Sequence, residues 1–130
     1  MSRQIKSKSR VADFGEVYTN EREVKAMCDL IPEEVWKNID SKFLEPSCGN
    51  GNFVVEILER KLKQCTTPEE VYRAYDSIWG VDILLDNCQE TKQRMLSLCP
   101  NYADKNKLKL NIICGDSIEI MKKWEKGGAE

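Results

Sequence analysis

The stretch Phe43–Phe53, FLEPSCGNGNF, constrains the fold of this chain more than any other. Phe43 and Leu44 read as the end of a short buried strand, and Pro46, with no N–H to give to a ladder, takes the chain out of it. Gly49, Asn50 and Gly51 then make a tight turn, where glycine permits positive φ and a close backbone approach. From Asn52 the pattern becomes helical, because Phe53, Val54, Ile57, Leu58 and Leu62 fall near one face of a 3.6-residue period. Strand, glycine turn and helix together form a nucleotide-type cradle, with backbone N–H groups at the helix start available to a ligand. The dinucleotide fingerprint is broken, since its third glycine position holds Val54, so a nicotinamide or flavin site loses weight.

A chain of 130 residues with 41% apolar and 32% charged residues is ordinary for one globular domain of modest core. No apolar run approaches the roughly 20 residues that cross a bilayer, and no apolar segment follows the basic N-terminus, so the expected location is cytoplasmic. The six cysteines show no C-x-x-C spacing, which favours reduced, mostly buried thiols over a disulfide framework or a structural zinc site. The absence of histidine removes the usual general base and the Ser-His and Cys-His nucleophile systems. A net charge of −2 gives no overall nucleic-acid footprint. Arg3, Lys6, Lys8 and Arg10 mark residues 1–12 as a flexible basic tail, read either as solvated or as contacting phosphate, ahead of a domain over 13–130.

Thr19 or Asn20 can cap a first helix with Val24, Met27, Cys28 and Ile31 on its apolar side, and Pro32–Asn38 can start a second, with Pro in its first turn. After the helix that begins at Asn52, Thr67-Pro68-Glu69-Glu70 starts another, running to about Tyr75. Ile78–Ile83 reads as a second strand and Leu108–Cys114 as a third. Between them lies a helix over 84–98, with Leu85, Cys88, Met95 and Leu98 on its packed face, and a last helix covers Ser117–Trp124. Strands alternating with helices imply a parallel sheet, whose ligands gather at the carboxyl ends of the strands. Each of the three strands ends with an acid there: Glu45, Asp82 and Asp116. Asp82 and Asp116 can equally cap the helices that follow them.

These residues carry a resemblance. The segment E-P-S-C-G-N-G-N-F resembles the cofactor motif of S-adenosylmethionine-dependent methyltransferases, in the form used by adenine-N6 DNA methyltransferases of bacterial restriction–modification systems. Gly15–Thr19, Gly80–Ile83 and Cys114–Ser117 are similar to further motifs of that family, in the same order, so that the likeness spans Phe14 to about Ile118. It implies a partial Rossmann-like methyltransferase fold: α/β, three parallel strands with flanking helices, and helices at the N-terminus. It implies S-adenosylmethionine as cofactor, with Tyr18, Thr19 and the backbone near them by the methionine carboxylate and Glu45 on the ammonium side. Pro46, Ser47, Cys48, Gly49, Gly51 and Phe53 supply the loop around the methionine part. Asp82 would accept from the ribose hydroxyls and Asp116 from the adenine amine, with Ile83 and Ser117 beside the ring. Hydroxyls, an exocyclic amine and an ammonium are donors, and carboxylates are acceptors. Asp82 lies roughly 30 residues beyond Gly51, against about 20 in dinucleotide folds, and the helix at Pro68–Tyr75 accounts for the length. Phe14 and Tyr18 suit a packing role as well as stacking on a ligand, while Trp79 and Trp124 read as packing residues.

The catalytic N/D-P-P-Y/F tetrad of that family has no counterpart, since the sequence contains no Pro-Pro pair. No catalytic residue is assigned, and the expected role is that of a cofactor-binding N-terminal part, with DNA engaged through regions this chain lacks. The alternatives are an inactive cofactor-binding or regulatory module and a methyltransferase of another substrate class. The strand ending at Glu45 would leave one edge bare, which predicts a homodimer or a second polypeptide completing the sheet.

Overall fold

The structure, a computed structural model, describes residues 3–4 and 18–126. Strands β1 (Arg3–Gln4) and β2 (Tyr18–Thr19) pair antiparallel, Arg3 opposite Thr19. The rest of the expected tail, with Phe14 and the motif residues 15–17, lies outside the described residues.

Helix α1 (Glu21–Cys28) starts where Asn20 accepts a hydrogen bond from the Glu23 N–H at 3.0 Å, with Glu21 and Glu23 against the positive end of the helix. Its buried face is narrower than expected. Val24 and Cys28, four apart, face the core, whereas Met27 is exposed; Ile31, three residues beyond the helix, still packs against the core. Helix α2 (Glu33–Lys37) follows Pro32, which stands just ahead of the first turn, and stacks Trp36 on Phe43 at 5.3 Å. Strand β3 (Phe43–Glu45), the glycine loop and helix α3 (Asn52–Leu62) follow in the expected order. A full capping box between Thr67 and Glu70, with Pro68 in the first turn, starts helix α4 (Pro68–Asp76).

Strand β4 (Ile78–Asp82) leads into helix α5 (Leu85–Ser97). Cys88 and Met95 of α5 are buried as expected, but Leu85 is exposed, and the polar Asn87 and Thr91 take the interior instead. Strand β5 (Asn111–Cys114) starts three residues later than the apolar run suggested. Asn111 sits opposite Trp79, next to the first residue of β4, so residues 108 and 109 lie ahead of the strand they would pair with. Lys105–Lys107 form a 3₁₀ turn ahead of it, and helix α6 (Ser117–Glu125) closes the described chain.

The three strands form a parallel sheet in the order β3-β4-β5, flanked by helices, so the chain is α/β. One face carries Phe43, Ile78 and Ile112 into a core shared with Val54, Ile57 and Leu58 of α3 and Cys88 and Met95 of α5. On the other face Trp79 meets Trp124 of α6 edge-on at 5.5 Å, the packing role expected of both. Among the described residues β3 pairs only with β4, and its outer edge is bare. Leu44, expected to be buried, is 40% exposed at that edge for the same reason. All six cysteines are free thiols, with Cys28, Cys48, Cys65 and Cys88 buried. No helix among the described residues is long and apolar enough to cross a membrane.

One lysine ties the lower part of this core together. Lys61 is fully buried, and its ammonium donates to the carbonyls of Ile39 (2.7 Å) and Ser41 and to the Ser77 hydroxyl (2.7 Å). Those three bonds use all three of its protons. Burial pushes the ammonium down to about 8, still above neutral pH. Lys61→Met keeps the stem and strands two carbonyls, so urea denaturation is expected to find it less stable by about 2–4 kcal/mol. A loss within ~0.5 kcal/mol, the usual range for a surface change, would contradict this role.

Candidate functional site

The carboxyl ends of the three strands lie side by side, with Glu45 opposite Gly80 and Asp82 opposite Cys114. The loop after β3 folds back onto β4. The Cys48 N–H donates to the Val81 carbonyl at 2.8 Å, and the Gly51 N–H to the Cys48 carbonyl at 2.9 Å. The Cys48 side chain sits on Gly80, where a Cβ would come within 3.1 Å of the Cys48 Cβ. Gly49 (φ 53°) and Gly51 (φ 96°) occupy the left-handed region that a side chain disfavours, as the turn chemistry requires.

Asp82 locks this loop. Its Oδ2 accepts from the Gly49 N–H at 3.0 Å, and its Oδ1 from the Leu84 N–H at 2.9 Å and the Asn87 side-chain amide at 3.3 Å. Three of the roughly four acceptor positions of a carboxylate are therefore filled. The group is 8% exposed. Asp82 is not the cap of α5, which starts after Leu84 without a side-chain cap; it joins a glycine of the loop to Leu84 and to the Asn87 side chain.

Glu45 is half-buried, and its Oε1 accepts from the Ser47 N–H at 3.2 Å. Burial pushes its carboxyl up, opposed by that N–H. Asp116 is exposed and caps α6, with Oδ1 accepting from the N–H groups of Ile118 (2.9 Å) and Glu119 (3.4 Å). Pro46 and Ser47 are exposed, Ser117 is half-buried, and Ile83 is 54% exposed beside the strand ends. Phe53 packs against the core, and both backbone polar groups of Cys48 are used inside the protein. Burial pushes the thiols of Cys48 and Cys88 up to about 12 and about 11, so both are protonated and poorly nucleophilic at neutral pH. The side chains of Tyr18 and Thr19 lie outside the described residues.

The sequence reading missed a polar stripe on α5. Asn87 supports Asp82, the Thr91 hydroxyl lies 3.2 Å from the Gly49 carbonyl, and the Arg94 guanidinium donates to the Asn50 carbonyl (2.9 Å) and the Asn52 side chain (2.8 Å). The signal was present, since positions 87, 91 and 94 share one helical face. A cavity of about 310 Å³ lies away from these groups, lined by Lys42, Phe43, Leu44, Trp79 and Trp124, and none of the three acids borders it.

No protein-family model matches this chain, and no curated protein matches it.

A Cβ at Gly51 would meet the Thr91 side chain at 2.9 Å in addition to the left-handed φ. Gly51→Ala is therefore expected to lower stability by about 1–3 kcal/mol, measured by thermal denaturation. An unchanged melting temperature would mean that the loop is not held against α5.

Proposed function

We propose that this chain binds S-adenosylmethionine at the carboxyl edge of its sheet, as the cofactor-binding part of an adenine-N6 DNA methyltransferase with a Rossmann-like fold. The observation that carries this reading is the junction of two left-handed glycines with two strand-end acids. Gly49 is bonded to Asp82, and Glu45 stands at the root of the same loop. Glu45 suits the cofactor ammonium, the positive group on the methionine part that can donate hydrogen bonds. Asp82 keeps one acceptor position on Oδ2 for a ribose hydroxyl. Asp116 keeps Oδ2 for the adenine amine, between the exposed apolar side chains of Ile83 and Ile118. The methyl group would pass from the bound cofactor to the amine of an extruded adenine. The amide or carboxylate accepting from that amine, and the DNA contacts, come from polypeptide outside this sequence.

The bare edge of β3 supports association with a second copy or another polypeptide that completes the sheet, in the cytoplasm. Sedimentation giving a stable monomer at micromolar concentration would count against that.

One observation favours a second reading, an inactive or regulatory module. All three strand-end carboxylates already accept from the protein's own N–H groups, of Ser47, of Gly49 and Leu84, and of Ile118 and Glu119. The two readings separate in a calorimetric titration with S-adenosylmethionine, using Asp82→Ala, checked for folding by circular dichroism, as control. The first predicts saturable binding that the variant loses. A folded wild-type chain that takes up no cofactor contradicts it and leaves the loop as architecture.

A further inference from the structure

We propose that Arg94 and Thr91 are positioning residues that turn one backbone donor, the Asn50 N–H, outward as the loop's recognition point for a carboxylate. The identity of that carboxylate, the one on the methionine part of the cofactor, rests on the function proposed above. The Ser47 N–H is given to Glu45, Cys48 to the Val81 carbonyl, Gly49 to Asp82 and Gly51 to the Cys48 carbonyl, while Pro46 has none. Among the described residues the Asn50 N–H alone in this loop has no acceptor.

Its direction follows from peptide geometry. In a trans peptide the C=O and the following N–H point opposite ways. The Gly49 carbonyl faces the Thr91 hydroxyl at 3.2 Å, sharing its single proton with the nearer Asn87 carbonyl at 2.9 Å, so the Asn50 N–H points away from α5. The next carbonyl, of Asn50, is held by the Arg94 guanidinium, which also grips the Asn52 side chain. Two consecutive peptide units are thereby fixed from one helix face, and the cation behind the loop favours an anion in front of it. The pair reaches across 42 and 44 residues of sequence, so local turn preference does not supply this orientation.

The test is Arg94→Met, with Thr91→Val as a second variant that keeps the shape of the side chain. Each is titrated with S-adenosylmethionine and with decarboxylated S-adenosylmethionine, which differs only in the carboxylate. The expected result is binding of S-adenosylmethionine weakened by about tenfold in Arg94→Met (~1.4 kcal/mol), with the decarboxylated ligand unchanged. Equal weakening of both, or of neither, overturns the proposal. If the folded wild type binds neither ligand, the cofactor reading fails, and the positioning claim is then read from amide hydrogen exchange. Fast exchange at Asn50 beside protected Gly49 and Gly51, with that protection lost in Arg94→Met while β4 is unaffected, upholds it. Protection unchanged in the variant overturns it.

Discussion

The carboxylate of Asp82 joins three parts of the chain that approach one another only in the folded state. One oxygen holds the glycine loop through Gly49, 33 residues earlier, and the other holds the start of α5 through Leu84 and Asn87. A buried carboxylate is tolerated because each of these donors offsets part of its desolvation. Asp82 lies on the central strand, so the loop after β3 is referenced to the middle of the sheet instead of its edge. Cys48 adds a second tie to the same strand through Val81, and Gly80 leaves the space in which Cys48 sits. A ligand at this edge would meet a loop whose backbone is already ordered, which lowers the entropy cost of binding.

The parts of this arrangement that were legible in the sequence are those governed by local chemistry. The glycine turn, the helix start at Thr67–Glu70 and the first helix cap, which falls on Asn20 of the two residues offered, are each decided within a few residues. The three strand-end acids were legible because a parallel sheet sets its strand ends side by side. What could not be read depends on partners distant in sequence. Leu85 looked like a core residue, but the interior position on α5 goes to Asn87 and Thr91, because polar backbone of the loop lies opposite. The burial of Lys61 was not read from the sequence, because it is explained by two carbonyls and a hydroxyl converging on it from other elements. The start of β5 was set by where β4 begins, which apolar content does not encode.

The two faces of the sheet differ in how completely they are covered. Toward α3 and α5 the core is continuous, with Val54, Leu58, Ile78 and Met95 all nearly without solvent contact. Toward α6 the cover is the Trp79–Trp124 contact and little more at the outer edge, where Leu44 and Lys42 border an open cavity. That cavity is apolar and presents no carboxylate, whereas the carboxyl edge presents backbone donors and acids. The proposed function places its ligand at the second, where acids and a backbone donor stand together.

The most direct measurement is a titration of the isotope-labelled chain with S-adenosylmethionine, followed by amide and indole resonances. The account predicts that the amides of Glu45, Gly49, Asn50, Gly51, Ile83 and Ser117 shift together, while the Trp79 and Trp124 indoles stay in place. Shifts of the two indoles with a silent glycine loop would contradict it.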